Sequence, residues 1–373
     1  MRGYHRVGVE VNDLKSNERK LLEAFDAGET RALARAISWV ENGRPGFERL
    51  LSALHNRVGR AHRIGITGPP GAGKSTLIHG LAGIVRNDGE RVGVVAVDPT
   101  SPFTGGALLG DRIRMTGAAG DDGVFIRSMA SRGSQGGLAT TTREVADLMD
   151  AFGFERVVVE TVGVGQSELE IAGAADTTVV VLTPESGDSI QAMKAGLMEI
   201  ADIFVVNKAD RPEAARAAGE LKTILRIREG QVFDRVPAHH AVDLTAMAKR
   251  RTATETPSDA SAGASEEERD GSAAWEIPVL LTSAHDGEGV PELMQTLENH
   301  YAFLTATGGL AQRRATRLVE RVRAVVDRGL RTRVWQDGEG EAILAAARAD
   351  LESGNRTPYD VAAEILGTVG GGR

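Results

Sequence analysis

The chain has 373 residues, of which 41% are hydrophobic and 26% are charged, so it is long enough for one large domain or for about two or three ordinary domains with proper cores. Its 44 basic and 52 acidic residues give a formal net charge of −8, which argues against a general nucleic-acid-binding protein. The absence of cysteine excludes disulfides, thiolate metal sites and cysteine nucleophiles.

The N-terminal sequence MRGYHRVGVEVNDLK lacks the apolar segment of a signal peptide. No apolar run in the chain approaches the roughly 20 residues that a membrane-spanning helix needs. We therefore expect a cytoplasmic protein that has neither a membrane nor a nucleic acid as its partner.

Helices are predicted for the first part of the chain, over residues 16–60. In PGFERLLSALHNRVG, apolar residues recur at helical spacing after Pro45. We expect residues 1–60 to form an N-terminal helical region.

Residues 61–304 carry the pattern of an α/β domain. The short β-branched runs RIGIT, RVGVVAVD, FERVVVE, TTVVVLT, IFVVN and IPVLLT alternate with helical or Gly-rich segments. This alternation predicts a mostly parallel sheet covered by helices on both faces. Within it, residues 249–273 are polar and have no periodicity, so they are predicted to form a disordered surface insertion.

Residues 305–373 are predicted to be helical again. An apolar stripe marks one long helix, and TPYDVAAEILG forms another, with Thr357 as N-cap and Pro358 at its first position. Such a stripe is equally consistent with a helix that covers the domain and with one that dimerises.

A phosphate-binding loop follows the first predicted strand. The sequence from Gly68 to Ser75, GPPGAGKS, matches G-x-x-x-x-G-K-[ST] and leads into the predicted helix STLIHGLAG. Backbone N–H groups of such a loop surround a phosphate, Lys74 reaches the β and γ oxygens, and the Ser75 hydroxyl binds Mg²⁺. A chance Gly-rich turn would not combine the strand, the spacing, the lysine and the serine. The predicted nucleotide-binding residues of this loop are Gly68, Gly71, Ala72, Gly73, Lys74, Ser75 and Thr76.

The base is predicted to be guanine. The sequence Asn207-Lys208-Ala-Asp210 follows the strand IFVV, and the Asp210 carboxylate can accept hydrogen bonds from the guanine N1–H and exocyclic amine. Adenine would leave this carboxylate unpaired or repelled, which is costly. A second base-side loop is predicted after the next strand, at Ser283, Ala284 and His285. We therefore expect GTP rather than ATP.

Acidic residues near strand ends are candidates for holding Mg²⁺ and for ordering the attacking water. They are Asp98, Asp111 and Glu160; Asp98 and Glu160 follow apolar runs and should emerge at the carboxyl edge of the sheet. Each has a simpler alternative as a capping or surface carboxylate. Gln166 is a candidate for orienting water, with a solvent-facing glutamine as an equal alternative. The predicted catalytic residues are Lys74, Glu160 and Gln166.

The segments that carry these motifs resemble the MeaB/ArgK family of GTPases, which belongs to the SIMIBI class of P-loop NTPases. The shared segments are GPPGAGKST, AVDPTSPFTGGALLGDRIRM, ETVGVGQSE, SGDSIQAMKAGLMEIAD with VVNKAD, and TSAHDGEGV. The resemblance covers essentially residues 17–370, apart from the 249–273 insertion. ETVGVGQSE and the stretch before VVNKAD are far more specific than a phosphate-binding loop alone.

The resemblance implies a homodimeric G-protein chaperone for adenosylcobalamin-dependent acyl-CoA mutases, chiefly methylmalonyl-CoA mutase. Such a protein gates cofactor loading and protects or restores the mutase while it hydrolyses GTP. The resemblance assigns Lys74, Ser75, Asp98, Asp111 and Glu160 to phosphate and Mg²⁺. It also assigns Asn207, Lys208 and Asp210 to guanine, residues 184–197 to a switch that senses the client, and residues 305–373 to a dimerisation region. Lys194 in that switch is a candidate coupling residue.

Slow intrinsic turnover is expected, because no arginine finger is evident in the chain. Arg112, Arg114, Arg127 and Arg132 lie near the predicted switches and are candidates for acting after a partner binds. Two alternatives within the same wider fold are a nickel-delivering metallochaperone GTPase and a small-molecule kinase.

Overall fold

A parallel sheet lies at the centre of the computed structural model, which describes residues 14–99, 121–131, 137–161, 170–184, 195–228, 274–336 and 338–370. Within these ranges the sheet has seven strands in the order β3-β2-β4-β1-β5-β6-β7. Every neighbouring pair is parallel, which confirms the predicted sheet type. The strands are β1 (His62–Thr67), β2 (Val92–Pro99), β3 (Val124–Ser131), β4 (Arg156–Thr161), β5 (Thr177–Leu182), β6 (Ile203–Asn207) and β7 (Val279–Thr282).

Helices cover both faces of this sheet. The described helices are α1 (Ser16–Asp26), α2 (Thr30–Glu41), α3 (Phe47–Leu54), α4 (Lys74–Asn87), α5 (Gly137–Phe152), α6 (Ala195–Ile200), α7 (Ala214–Arg228), α8 (Val290–Ala306), α9 (Gly309–Trp335), α10 (Gly340–Glu352) and α11 (Pro358–Gly370). None of them has both the length and the apolar character that a helix needs to span a bilayer. The predicted insertion at 249–273 lies outside the described residues.

Alternate residues of the central strands face two separate cores. Ile66 in β1 and Val158 in β4 pack with α4 and α8 on one face. Val157 and Val159 in β4 pack on the other face with α5 and with the N-terminal helices α1 to α3. The N-terminal helices therefore share a core with the sheet, because the strand period of two sends neighbouring side chains to opposite faces.

Acidic side chains at the amino edge of the sheet hold helix α9. Asp202 binds Arg313 with N–O distances of 2.8 and 2.9 Å, and the buried Asp176 binds both Arg314 and Arg317. Burial would raise the pKa of Asp176, but hydrogen bonds and charge from Arg314 and Arg317 lower it well below its ordinary value. Helix α9 is therefore attached to the domain through ion pairs, and none of its own residues is buried.

A buried histidine connects β1 with β5 at the same edge. His62 is 1% exposed, and its Nε2 lies 2.9 Å from the Thr177 hydroxyl, which lies 2.8 Å from Nδ1 of His300. Burial lowers the pKa of His62 from 6.5 to about 3. The neutral imidazole is therefore the form that the folded protein retains.

This histidine predicts a loss of stability in acid. The unfolded state binds a proton at His62 below pH 6.5, whereas the folded state does so only near pH 3. The contribution of the neutral His62 to the free energy of unfolding is therefore complete above pH 6.5 and is lost as the pH falls. We expect the free energy of unfolding to fall by about 1.4 kcal/mol per pH unit from this group between about pH 6 and about pH 4. Urea denaturation across this range should show a shallower fall for His62→Gln. The same substitution at the exposed His55 is the control, and equal slopes for the two variants would contradict the assignment.

Candidate nucleotide-binding site

The loop between β1 and α4 has the geometry of a phosphate site. Gly68 and Gly73 adopt φ angles of 138° and 89°, and a Cβ on Gly68 would lie 2.0 Å from the backbone oxygen of Val181. Only glycine fits at these two positions without displacing its neighbours. Helix α4 begins at Lys74, so its N-terminus, which attracts anions, faces the loop.

Lys74 spans this loop with its side chain. It is 5% exposed, and its ammonium donates hydrogen bonds to the backbone oxygens of Gly68 at 2.8 Å and Pro69 at 3.0 Å. A cation is therefore fixed beside the loop, where a phosphate would need neutralising.

Ser75 and Glu160 meet beside the loop. The Ser75 hydroxyl donates to Oε1 of Glu160 at 2.8 Å, and Glu160 is 2% exposed. Register pairing places Glu160 opposite Ile66 of β1 and Ala96 of β2, at the carboxyl edge of the sheet. A hydroxyl and a carboxylate in contact fit the hard oxygen ligands that Mg²⁺ prefers.

Several other predicted site residues lie wholly or partly outside the described residues. The backbone of Asp98 lies in β2 opposite Ala130, but its side chain lies outside the described residues. Also outside are Asp111, Gln166, Lys194, most of the segment 184–197, Arg112, Arg114 and Arg132.

Asn207 joins the phosphate loop to the base-side loops. Its Nδ2 donates to the backbone oxygen of Ala72 at 2.7 Å, and its Oδ1 accepts from the Thr282 hydroxyl and the Ala284 N–H, both at 3.0 Å. The backbone N–H of Ala284 can only donate, which fixes the orientation of the amide. The amide nitrogen carries two N–H donors, of which one binds Ala72. The structure thus adds a positioning role for Asn207, and the guanine contact that the resemblance implied stays a prediction.

The loops after β6 and β7 present the remaining predicted base-binding residues. Lys208 has φ 61°, the one positive φ of a non-glycine residue in the described chain. Such strain is concentrated at functional sites. Asp210 and His285 are exposed, while Ser283 is buried and its hydroxyl donates to Asp286. An exposed Asp210 carboxylate can accept hydrogen bonds from a base.

Arg127 is engaged away from the site. It lies within β3 opposite Val95, forms an ion pair with Glu41 of α2, and donates to the Ser38 hydroxyl at 3.2 Å. In this structure the Arg127 guanidinium holds α2 against the sheet, and its candidate role after a partner binds stays a prediction.

Two residues that the sequence analysis did not single out lie under the loop. Thr67 ends β1, Thr161 ends β4, and their hydroxyls are hydrogen-bonded at 2.8 Å. The available sequence signal was a hydroxyl residue at the end of an apolar strand, directly before Gly68 and directly after Glu160.

Comparisons with known proteins identify a family of GTPases. The family model of methylmalonyl-CoA mutase-associated GTPase MeaB matches residues 33–339. A predicted GTPase of Pyrococcus horikoshii is 44% identical over 82% of this chain and 85% of its own length. The GTPase ArgK of Escherichia coli is 35% identical over 82% of this chain and 84% of its own length. The crystal structure of an LAO/AO transport system kinase has a TM-score of 0.61 at 25% identity and covers 95% of this chain and 98% of its own.

The three hydrogen bonds of Asn207 predict a large effect of its removal. Asn207→Ala leaves Ala72, Thr282 and Ala284 without this partner, and we expect a loss of about 2 to 4 kcal/mol in the free energy of unfolding. GDP affinity should fall by about tenfold or more, because the phosphate loop and the base-side loops lose their shared support.

Urea denaturation and fluorescent GDP titration would measure the two effects. Asn299→Ala, at an exposed position of α8, is the matched control. A variant at Asn207 that behaves like the control would show that the loops hold their positions without this amide.

Proposed function

The chain belongs to the MeaB family of GTPases, and we propose that its hydrolysis of GTP serves an adenosylcobalamin-dependent acyl-CoA mutase. Methylmalonyl-CoA mutase is the proposed client, because the matching family is named for its association with that enzyme. In this proposal GTP hydrolysis gates the loading of adenosylcobalamin in the cytoplasm and protects or reactivates the mutase.

The contact between Asn207 and the phosphate loop carries the nucleotide part of the proposal. It joins a loop that suits phosphates to a loop that presents Asp210 to a base. The Asp210 carboxylate selects guanine by accepting from N1–H and the exocyclic amine. GTP and GDP are thus the proposed nucleotides.

The proposed chemistry uses groups at the carboxyl edge of the sheet. Lys74 balances charge on the β and γ phosphates, while Ser75 and Glu160 hold Mg²⁺ directly or through water, together with Asp98 and Asp111. When bound, the metal ion would neutralise charge that develops on the phosphate oxygens. Gln166 is the proposed group that orients the attacking water.

Hydrolysis in this scheme controls a conformational change. The proposed switch segment 184–197, with Lys194, senses the client and releases it after the γ-phosphate leaves. A slow intrinsic rate then allows the mutase to set the timing.

A second copy of the chain is the other proposed partner. Helix α9 presents one exposed apolar face, formed by Leu318, Val319, Val322, Val325, Val326 and Leu330. At about 100° per residue, this face points away from the arginines that bind the domain. A cavity of about 450 Å³ between α9, α10 and α11 extends the apolar surface. An apolar face of this kind on two copies is self-complementary and supports a homodimer.

Nucleotide turnover with and without the mutase tests the proposed function. We expect slow GTP hydrolysis by the protein alone and saturable stimulation when methylmalonyl-CoA mutase is added, with little ATP hydrolysis. Asp210→Asn should lose guanine selectivity, because the amide replaces one of the two accepting carboxylate oxygens by an NH2 group, which would face an N–H donor of guanine.

Each outcome of this experiment separates one part of the proposal from the rest. GTP turnover that the mutase does not change would move the chaperone role to another client. Equal use of ATP would contradict the role of Asp210, whatever the client.

The dimer proposal predicts the effect of a charge on α9. Val322→Glu places a carboxylate in the middle of the apolar face, and we expect it to convert a dimer into a monomer in sedimentation equilibrium. Thr316→Glu introduces the same charge at an exposed position on another side of α9 and should leave the dimer intact. Dimers of equal stability for both variants would place the interface elsewhere.

A further inference from the structure

Three pairs of residues adjacent in the chain are linked in a ring by three hydrogen bonds beneath the phosphate loop. Lys74 donates to the backbone oxygen of Gly68, Ser75 donates to Glu160, and Thr161 donates to Thr67, each at 2.8 Å. Chain connectivity supplies the other three links. We name this arrangement the strand-end circuit; its members are the pairs 67–68, 74–75 and 160–161.

Two of the three hydrogen bonds involve groups that the proposed function gives to the nucleotide or to Mg²⁺. Lys74 and Ser75 would change partners when phosphate and metal bind. The hydroxyl pair Thr67–Thr161 contains neither a phosphate-binding nor a metal-binding group. It is therefore the link whose geometry does not depend on the ligand.

Strand alternation places the hydroxyl pair on the opposite face of the sheet from Glu160. Ile66 is in register with Glu160, so Thr67 and Thr161 are the next residues at the same level of β1 and β4. Thr67 is fully buried and Thr161 is 4% exposed. Val159, two residues before Thr161, packs with α5 and the N-terminal helices. The pair thus links the ends of β1 and β4 on the face that is covered by α5, while Glu160 lies on the face that is covered by α4.

We propose that Thr67 and Thr161 are a positioning pair that sets the separation of Glu160 from Ser75. The proposal rests on the proposed role of Glu160 and Ser75 in holding Mg²⁺. A hydroxyl hydrogen bond between adjacent strand ends fixes how far β4 extends beyond β1. Glu160 directly precedes Thr161, and the phosphate loop directly follows Thr67, so a shift at the pair displaces the carboxylate relative to α4.

Valine substitution removes the hydroxyl and keeps the shape of the side chain. For Thr161→Val we expect the Mg²⁺ concentration that gives half-maximal GTP hydrolysis to rise by about fivefold and kcat to fall by a similar factor, the effect of losing one buried hydrogen bond. Affinity for fluorescent GDP without Mg²⁺ should change less than about twofold, while affinity with Mg²⁺ falls. Thr161→Ser should restore both quantities.

Thr67→Val removes the acceptor of the same hydrogen bond, and it replaces Thr161→Val in the test if that variant does not fold. The double variant should be no worse than either single variant, because the pair makes one interaction. The matched control is Thr177→Val, which removes a buried hydroxyl that binds His62 and His300 at the far edge of the sheet. It should lower the melting temperature and leave the Mg²⁺ dependence unchanged.

Two results would overturn the positioning role. One is a Thr161→Val protein that, like the control, changes only in melting temperature. The other is a Thr161→Ser protein that needs as much Mg²⁺ for half-maximal hydrolysis as the valine variant. If wild-type hydrolysis shows no dependence on Mg²⁺, the proposed metal site fails. The pair is then judged on kcat alone, and an unchanged kcat rejects it.

Discussion

The parallel pairing of β1 with β4 and β5 is the constraint on which the site depends. Parallel strands bring their carboxyl ends to one edge, so the residues that follow β1, β4, β6 and β7 converge although they are far apart in the chain. The pairing of β1 with β5 in turn requires glycine at position 68, because this residue passes so close to the Val181 backbone that a side chain would collide with it. The amide of Asn207 then ties the edge together by binding groups from two different loops. Sheet order, loop conformation and side-chain contacts therefore support one another.

The sequence predicted the parts of the molecule that depend on local pattern. Apolar runs gave the parallel strands, and the spacing of GPPGAGKS gave the loop between β1 and α4. The long-range polar contacts could not be predicted in this way. The sequence made Arg127 a candidate for acting after a partner binds, but it could not show that Arg127 pairs with Glu41 of α2, 86 residues earlier. Likewise, the pattern NKAD identifies a base-side loop without showing that both ends of the Asn207 amide bind the protein.

Helix α9 illustrates why hydrophobic pattern alone leaves an orientation open. An amphipathic helix usually turns its apolar stripe inward. In α9 the arginines face the domain and the stripe faces outward, because Asp176 and Asp202 at the amino ends of β5 and β6 offer buried carboxylates. Breaking such a pair would leave a buried charge without compensation, whereas the pair itself adds little net stability. The ion pairs therefore specify where α9 sits more than they strengthen the fold.

The two edges of the sheet use polar residues for opposite purposes. At the carboxyl edge, Asp210 and the phosphate loop are open to a ligand. At the amino edge, Asp176 and Asp202 form ion pairs with arginines of α9. Helix α5 runs between these edges. Its Glu144 binds Arg328 of α9, and its Asp150 accepts three backbone N–H groups just before β1. Helix α5 therefore fixes the position of α9 and of the chain that enters β1 through two separate carboxylates.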